Sequence, residues 1–239
     1  MTGKDYIILD GISSKDVGLY VDTPPLPPMA LRKYSMFETE ELGQPLTLGH
    51  DFFEDVTLTI SCFVFDYGKN IDINAVYAWL RGKQKLQTSI YNNWYYYIKQ
   101  IPAVLPSYSG KGLYKLDISF VCSPYRYSIN NDVIVPDLTG AVAGQACTVD
   151  VQGSYYARPV YTISGNGDIE LHVNQTDKPL IIYNVVGFVT VDCEKMMVHK
   201  NGVPVKNKGL LPFMDVGANY IMLKGDVSKL EITKNERWL

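Results

Sequence analysis

Histidine and cysteine are scarce in this chain, and neither set is spaced for chemistry. The three histidines, His50, His172 and His199, lie in different segments, with no HxH or HExxH pair among them. The four cysteines, Cys62, Cys122, Cys147 and Cys193, contain no CxxC, so a zinc cluster has no ligand set. Cys62 and Cys122 fall inside strand-like runs, where a free thiol behaves as a small hydrophobe. All four read as reduced thiols of a protein made in a cytosol. No serine or cysteine sits in a GxSxG-like elbow. Long apolar runs are also missing. None approaches the ~20 residues that cross a bilayer, so no membrane insertion is expected. The opening stretch MTGKDYIILDGISSKDVGLY lacks the basic-then-apolar order of an export signal. Excess positive charge is absent as well. The net charge is −3; residues 1–135 carry 12 basic and 14 acidic side chains, and residues 136–239 carry 10 and 11. Direct recognition of nucleic acid is not expected from such a balance.

What is present is the composition of a folded protein. Apolar residues make up 46% of the 239 and charged residues 20%, which excludes a disordered chain. The length suits one large β domain or two of ordinary size. Tyrosine is abundant, with 18 copies, and it suits pleated, half-buried surfaces and wet interfaces.

The pattern along the chain is mostly that of strands. Residues 6–9 read as a first strand. TPPLPPM (23–29) is too rich in proline for a central strand or a helix interior and reads as an extended connector. LRKYSMFETEEL reads as a second strand or a hairpin arm. From residue 55 to 65 the alternation is clean: Val56, Leu58, Ile60, Cys62 and Val64 share the core face. DINAVYAWLRGK (72–83) is the helix, with Asp72 or Asn74 as its cap, an apolar stripe of Ile73, Val76, Tyr77 and Leu80, and Gly82 at its left-handed end. Trp79 lies off that stripe, either as a partly covered surface tryptophan or as an anchor for a neighbouring subunit. NNWYYYIKQIPAVLPSY and GLYKLDISFVCSPYRYS are two longer strands joined by SGKG. These parts form a compact α+β unit that ends near Tyr127. The Asn-, Gly- and Pro-rich run SINNDVIVPDLTGAVAG follows, and it places the domain boundary between 135 and 136. Short strands with close turn signals then predict a β-sandwich. They include YTISGNGDIELHVN, with a Gly-Asn-Gly-Asp turn, and a hairpin at Asn201-Gly202.

Three local features invite a chemical reading. HDFFED holds His50, Asp51, Glu54 and Asp55, but alternation along a strand scatters them over both faces, and Phe52 and Phe53 read as packing residues. A solvated turn is the reading favoured over a metal site. SGNGD (164–168) joins strand to strand, whereas a phosphate cradle needs a helix N-terminus. In GSYYARP, Tyr155, Tyr156 and Arg158 suit contact with a neighbouring domain better than a sugar site. No convergent acid and base are found, so no enzymatic activity, cofactor or metal is expected. The acidic run FETEEL reads as a wet face; lining a passage for DNA, it would keep phosphate from sticking.

The order of parts carries a resemblance. The proline connector precedes GHDFFEDVTLTISCFVF. The helix end WLRG, a tyrosine strand, the strand end F-x-C-x-P-Y and the opening RP…I-x-G-x-G then follow. This sequence of elements resembles the distal tail protein family of siphophages and prophages of Gram-positive bacteria. The resemblance covers nearly the whole chain. It implies a mainly β fold: an N-terminal β-sandwich-like domain with one helix and a hairpin arm (1–135), then a C-terminal galectin-like or carbohydrate-module-like β-sandwich (136–239). It implies a virion structural protein of a long non-contractile tail, assembled in the host cytoplasm. Six copies would form a ring joining tail-tube protein to tail-tip protein and anchoring receptor-binding proteins. Some relatives carry an inserted sugar-binding module, for which this chain has no room. The residues suited to a ring are those of an arm spanning 29–55, with GQPLTLGHD at or near its turn. Its interface candidates are Leu46, Leu48, Phe52 and Phe53, joined by Trp79. The competing expectation is a carbohydrate-binding module for host cell-wall glycan, with Tyr155, Tyr156 and Arg158 as contacts.

Overall fold

The structure is a computed structural model that describes residues 5–23, 26–37, 46–65, 73–108, 110, 112–136, 147–174 and 178–239, with side chains at 36–37, 46–51 and 65 left undescribed. The fold is mainly β, with antiparallel sheets and one α-helix among the described residues. The chain divides into two compact units, Met1–Arg126 with Leu239, and Tyr127–Trp238. The division falls where the α+β unit was expected to end, earlier than the 135/136 break. The reason is that Val133–Ile134 already pair with Thr233 and Ile232 of the second unit.

The first unit contains β1 (Ile7–Leu9), β2 (Ile12–Ser13), β3 (Leu19–Thr23), β4 (Arg32–Phe37), β5 (Leu46–Phe53), β6 (Val56–Phe65), α1 (Ile73–Leu80), β7 (Lys85–Thr88), β8 (Trp94–Tyr108) and β9 (Leu113–Ser128), which runs on past the division. Its main sheet follows the order β2-β1-β7-β8-β9-β6-β3. β6 and β9 pair from Val56↔Cys122 to Phe65↔Leu113. That register puts two period-two patterns in phase. Val56, Leu58, Ile60, Cys62 and Val64 are buried with Leu116, Ile118, Phe120 and Cys122. The opposite face carries hydroxyls: Thr59 meets Ser119 at 3.1 Å, and Ser61 donates to Asp117 at 2.5 Å. Burying one large aliphatic side chain contributes ~1.5–3 kcal/mol, so this face supplies most of the unit's cohesion.

Helix α1 stops where the sequence stops it: Gly82 adopts φ 71. Its buried face is turned by one position from the expected stripe. Val76, Trp79 and Leu80 are buried, Ile73 is half-buried and Tyr77 is exposed. The larger indole gains more from burial, while a tyrosine keeps its hydroxyl wet.

The second unit contains β10 (Val133–Ile134), β11 (Cys147–Val151), β12 (Val160–Val173), β13 (Leu180–Asp192), β14 (Met197–Lys200), β15 (Val203–Pro204), β16 (Asn207–Lys208), β17 (Gly217–Thr233) and β18 (Arg237–Trp238). Its sheet runs β10-β17-β12-β13-β14-β15, with β11 also on β17 and β16 also on β13. Asn201 (φ 50) and Gly202 (φ 82) make the expected β14–β15 hairpin. The expected Gly-Asn-Gly-Asp turn is not a turn. β12 continues through it, and both of its ladders shift register there. A Cβ on Gly165 would lie 2.2 Å from the Asp226 carbonyl oxygen, so glycine is what lets β17 approach.

Candidate assembly interface

The arm is real and stands apart from both large sheets. β4 and β5 form a two-stranded sheet of their own, in register from Arg32↔Phe53 to Phe37↔Leu46, with a shift between Arg32 and Tyr34. The backbone N–H of Glu54 donates to the Leu31 carbonyl at 2.8 Å and closes the arm's root. Residues 46–51 of GQPLTLGHD belong to the returning strand. The connection 38–45 lies outside the described residues. Leu46 and Leu48 sit on β5 opposite Phe37 and Ser35, and their side chains lie outside the description.

Phe52 and Phe53 separate, as neighbours on a strand must. Phe52 is 51% exposed, with the Lys33 ammonium 5.7 Å from its ring centroid. Phe53 is half-buried, packs against the unit's core and meets Tyr125 edge-on at 6.2 Å. Leu31 and Tyr34 extend the exposed apolar character of the arm. Trp79 is 6% exposed and belongs to this chain's own core. That burial denies a neighbour its ring, which corrects the anchor reading.

Of the acidic cluster around the root, the side chains of Glu54 and Asp55 are described. Glu54 is exposed, and Asp55 holds Lys99 at 2.6 Å. The side chains of His50 and Asp51 lie outside the description. Among the described residues, no group of three or more His, Cys, Asp or Glu is arranged to hold a metal. No helix among them is long and apolar enough to cross a membrane.

In the second unit Tyr155 and Tyr156 do come together, their ring centroids 4.4 Å apart. Sequence reasoning missed what holds them. Arg237 is 1% exposed, and its Nε and Nη2 donate to the Tyr156 carbonyl at 2.9 and 2.6 Å. Its guanidinium lies 5.3 Å from the Tyr155 ring and 4.5 Å from the Tyr156 ring. Phe213 stacks on Tyr156 at 5.3 Å and takes Arg158 at 5.6 Å. Burial pushes the Tyr156 hydroxyl up, but hydrogen bonds and charge from Arg158 and Arg237 outweigh it and leave its pKa below the ordinary phenol value. Gly153 admits the Arg237 carbonyl so closely that a Cβ there would lie 2.4 Å from it. The cluster is a packed joint, with the ring faces already occupied. Nothing in ERWL, read as sequence, marks its arginine as buried.

No family model matches the chain, and no curated protein matches it. A solved structure does, the crystal structure of SPP1 Dit (gp 19.1), described as a paradigm of the hub adsorption apparatus of phages that infect Gram-positive bacteria. The two superpose with a TM-score of 0.73 over 98% of this chain and 99% of the other. This chain shares its fold with SPP1 Dit. The sequences are 15% identical, so the likeness to SPP1 Dit rests on the course of the backbone. The likeness to SPP1 Dit spans nearly the whole of both chains.

Proposed function

We propose that the chain is the structural hub of a long non-contractile phage tail. Six copies close into a ring that connects the tail tube to the tail-tip adsorption device. The observation that carries this reading is the full-length likeness to a phage hub protein at a TM-score of 0.73. The arm supports it independently. A ring needs two different complementary patches on each subunit, and a two-stranded arm outside both sheets, with Leu31, Tyr34 and Phe52 exposed, is one such patch. Its partners in this reading are copies of itself, tail-tube protein, tail-tip protein and receptor-binding proteins, and its place is the virion. It acts by shape and adhesion, without catalysis.

The competing carbohydrate module is weaker here. Tyr155 and Tyr156 face each other and Arg237, so their apolar faces are not offered to a sugar ring. Negative-stain images of the purified chain, paired with pull-down on host cell-wall glycan, separate the two. Annular particles and no retained protein are expected. Saturable retention without annuli would overturn the hub reading.

A further inference from the structure

The second unit carries a groove of about 630 Å³ that the hub reading does not use. That volume is in the range of ligand pockets. Its floor is the end of the β12–β13 pair: Leu171, Val173 and Leu180, all buried. The segment 210–213 faces that floor as an arch, and the arch is pinned at three points. Gly209 sits so close to Pro179 that a Cβ there would lie 2.4 Å from the Pro179 carbonyl oxygen. The Pro212 carbonyl accepts from the Tyr161 hydroxyl and the Cys193 thiol, both at 3.3 Å. Asn219, fully buried, accepts the Asp215 N–H on its Oδ1 at 2.8 Å and donates its Nδ2 to the Asp215 carbonyl at 2.8 Å. An arch held at both ends and in the middle cannot settle onto the floor, so the groove is preformed. Leu210 stands at its lip, 77% exposed, and extends the apolar floor outward. Two charged side chains among the described residues stand on its rim. Lys178 leads into β13, on the Gly209 side, and the Asp215 carboxylate meets the Asn174 amide at 3.5 Å at the end of β12.

We infer that this groove takes a short extended peptide segment of a partner protein, with one large apolar side chain seated between an acidic and a basic residue. The rim chooses that occupant. It carries both signs of charge, one on each side of an apolar floor. A peptide supplies an anchor and two opposite charges in one short stretch. A fatty chain has a single anionic head; it would answer Lys178 and leave Asp215 unmatched. A sugar ring needs a free aromatic face. Phe213, the aromatic residue lining the groove, already stacks on Tyr156 and takes Arg158 on its ring. The inference stands apart from the ring reading, since a single copy carries the groove.

The test is fluorescence anisotropy of short labelled peptides with the full chain. The probes carry a central phenylalanine or leucine flanked by glutamate and lysine in either order; control probes carry glutamine at both flanks. Dodecanoate is the competitor with one anionic head. A charged probe should bind saturably and roughly tenfold tighter than its glutamine control. K178E and D215K should each bring it down to the control, and K178E/D215K combined should favour the opposite flank order. Leu210→Ser should weaken every probe severalfold with an unchanged circular dichroism melt, because Leu210 is exposed. Absence of saturable binding by any probe overturns the proposal. Binding that the rim variants leave unchanged does the same, as does displacement of the peptide by dodecanoate, which would make the groove an acyl site. Probe binding by a chain that stays monomeric would uphold the groove while overturning the ring.

Discussion

Two adjacent phenylalanines show how a strand separates structure from assembly. Phe53 packs on the core and on Tyr125, while Phe52 faces outward beside Lys33. Phe53→Ser is therefore expected to cost about 2–3 kcal/mol of stability, read by urea unfolding. Phe52→Ser should leave stability within ~0.5 kcal/mol and weaken assembly instead, read by light scattering. Equal destabilisation by both would contradict the split. Arg237 is the second decisive residue. Arg237→Ala removes a buried cation from the tyrosine pair and strands the Tyr156 carbonyl, at an expected cost of about 2–4 kcal/mol. A change below ~0.5 kcal/mol in chemical unfolding would refute that role. The thiols set a pH limit. Burial first, and nearby carboxylates second, push Cys62, Cys122 and Cys193 up to about 12. An unfolded thiol titrates near ~8.5. Between these values the folded chain keeps protons that the unfolded chain has lost, so stability falls as pH rises. Tyr96 and Tyr161, also raised by burial, act in the same sense above pH ~10. Urea midpoints should be level up to pH ~8 and fall by pH ~10; a level profile to pH 10 would contradict the burial. Both phenylalanines read alike in the sequence, as packing residues, and nothing there marked Arg237, whose burial depends on Gly153, Tyr155 and Tyr156 from distant positions.

At the scale of elements, local pattern was legible wherever one physical rule dominated. The core faces of β6 and β9, the left-handed end of α1 and the Asn-Gly hairpin follow from period and turn chemistry. Two elements resisted. The glycines of β12 look like a hairpin turn, yet they mark a bulge where β17 crosses closely; only the partner strand distinguishes the two. Gly165→Ala should therefore destabilise the second unit by roughly 1–3 kcal/mol, seen as a lower melting temperature with the first unit unaffected. An unchanged melt would return the segment to an ordinary turn. β8 is the other case, with Pro102 and Pro106 inside a 15-residue strand. Proline is tolerated there because β7 pairs only Lys85 and Leu86 with it, so beyond Ile98 that side of β8 has no partner strand among the described residues. Missing donors also blunt this edge against unwanted strand pairing.

At the scale of the molecule, each unit has its own buried cluster, and among the described residues no group of three or more His, Cys, Asp or Glu is arranged to hold a metal. The order of elements was legible before the fold because each part has a distinct composition: prolines, alternating strand, helix, tyrosine strand. Which surfaces meet other copies was not legible, since an exposed residue and an interface residue obey the same alternation. The central claim is that copies of this chain close on themselves. Sedimentation velocity of the wild-type chain over a wide concentration range tests it most directly. The account predicts a shift from 26.9 kDa toward six times that mass, with no growth beyond it. A monomer at the highest concentration, or open-ended growth without a limiting mass, would contradict it.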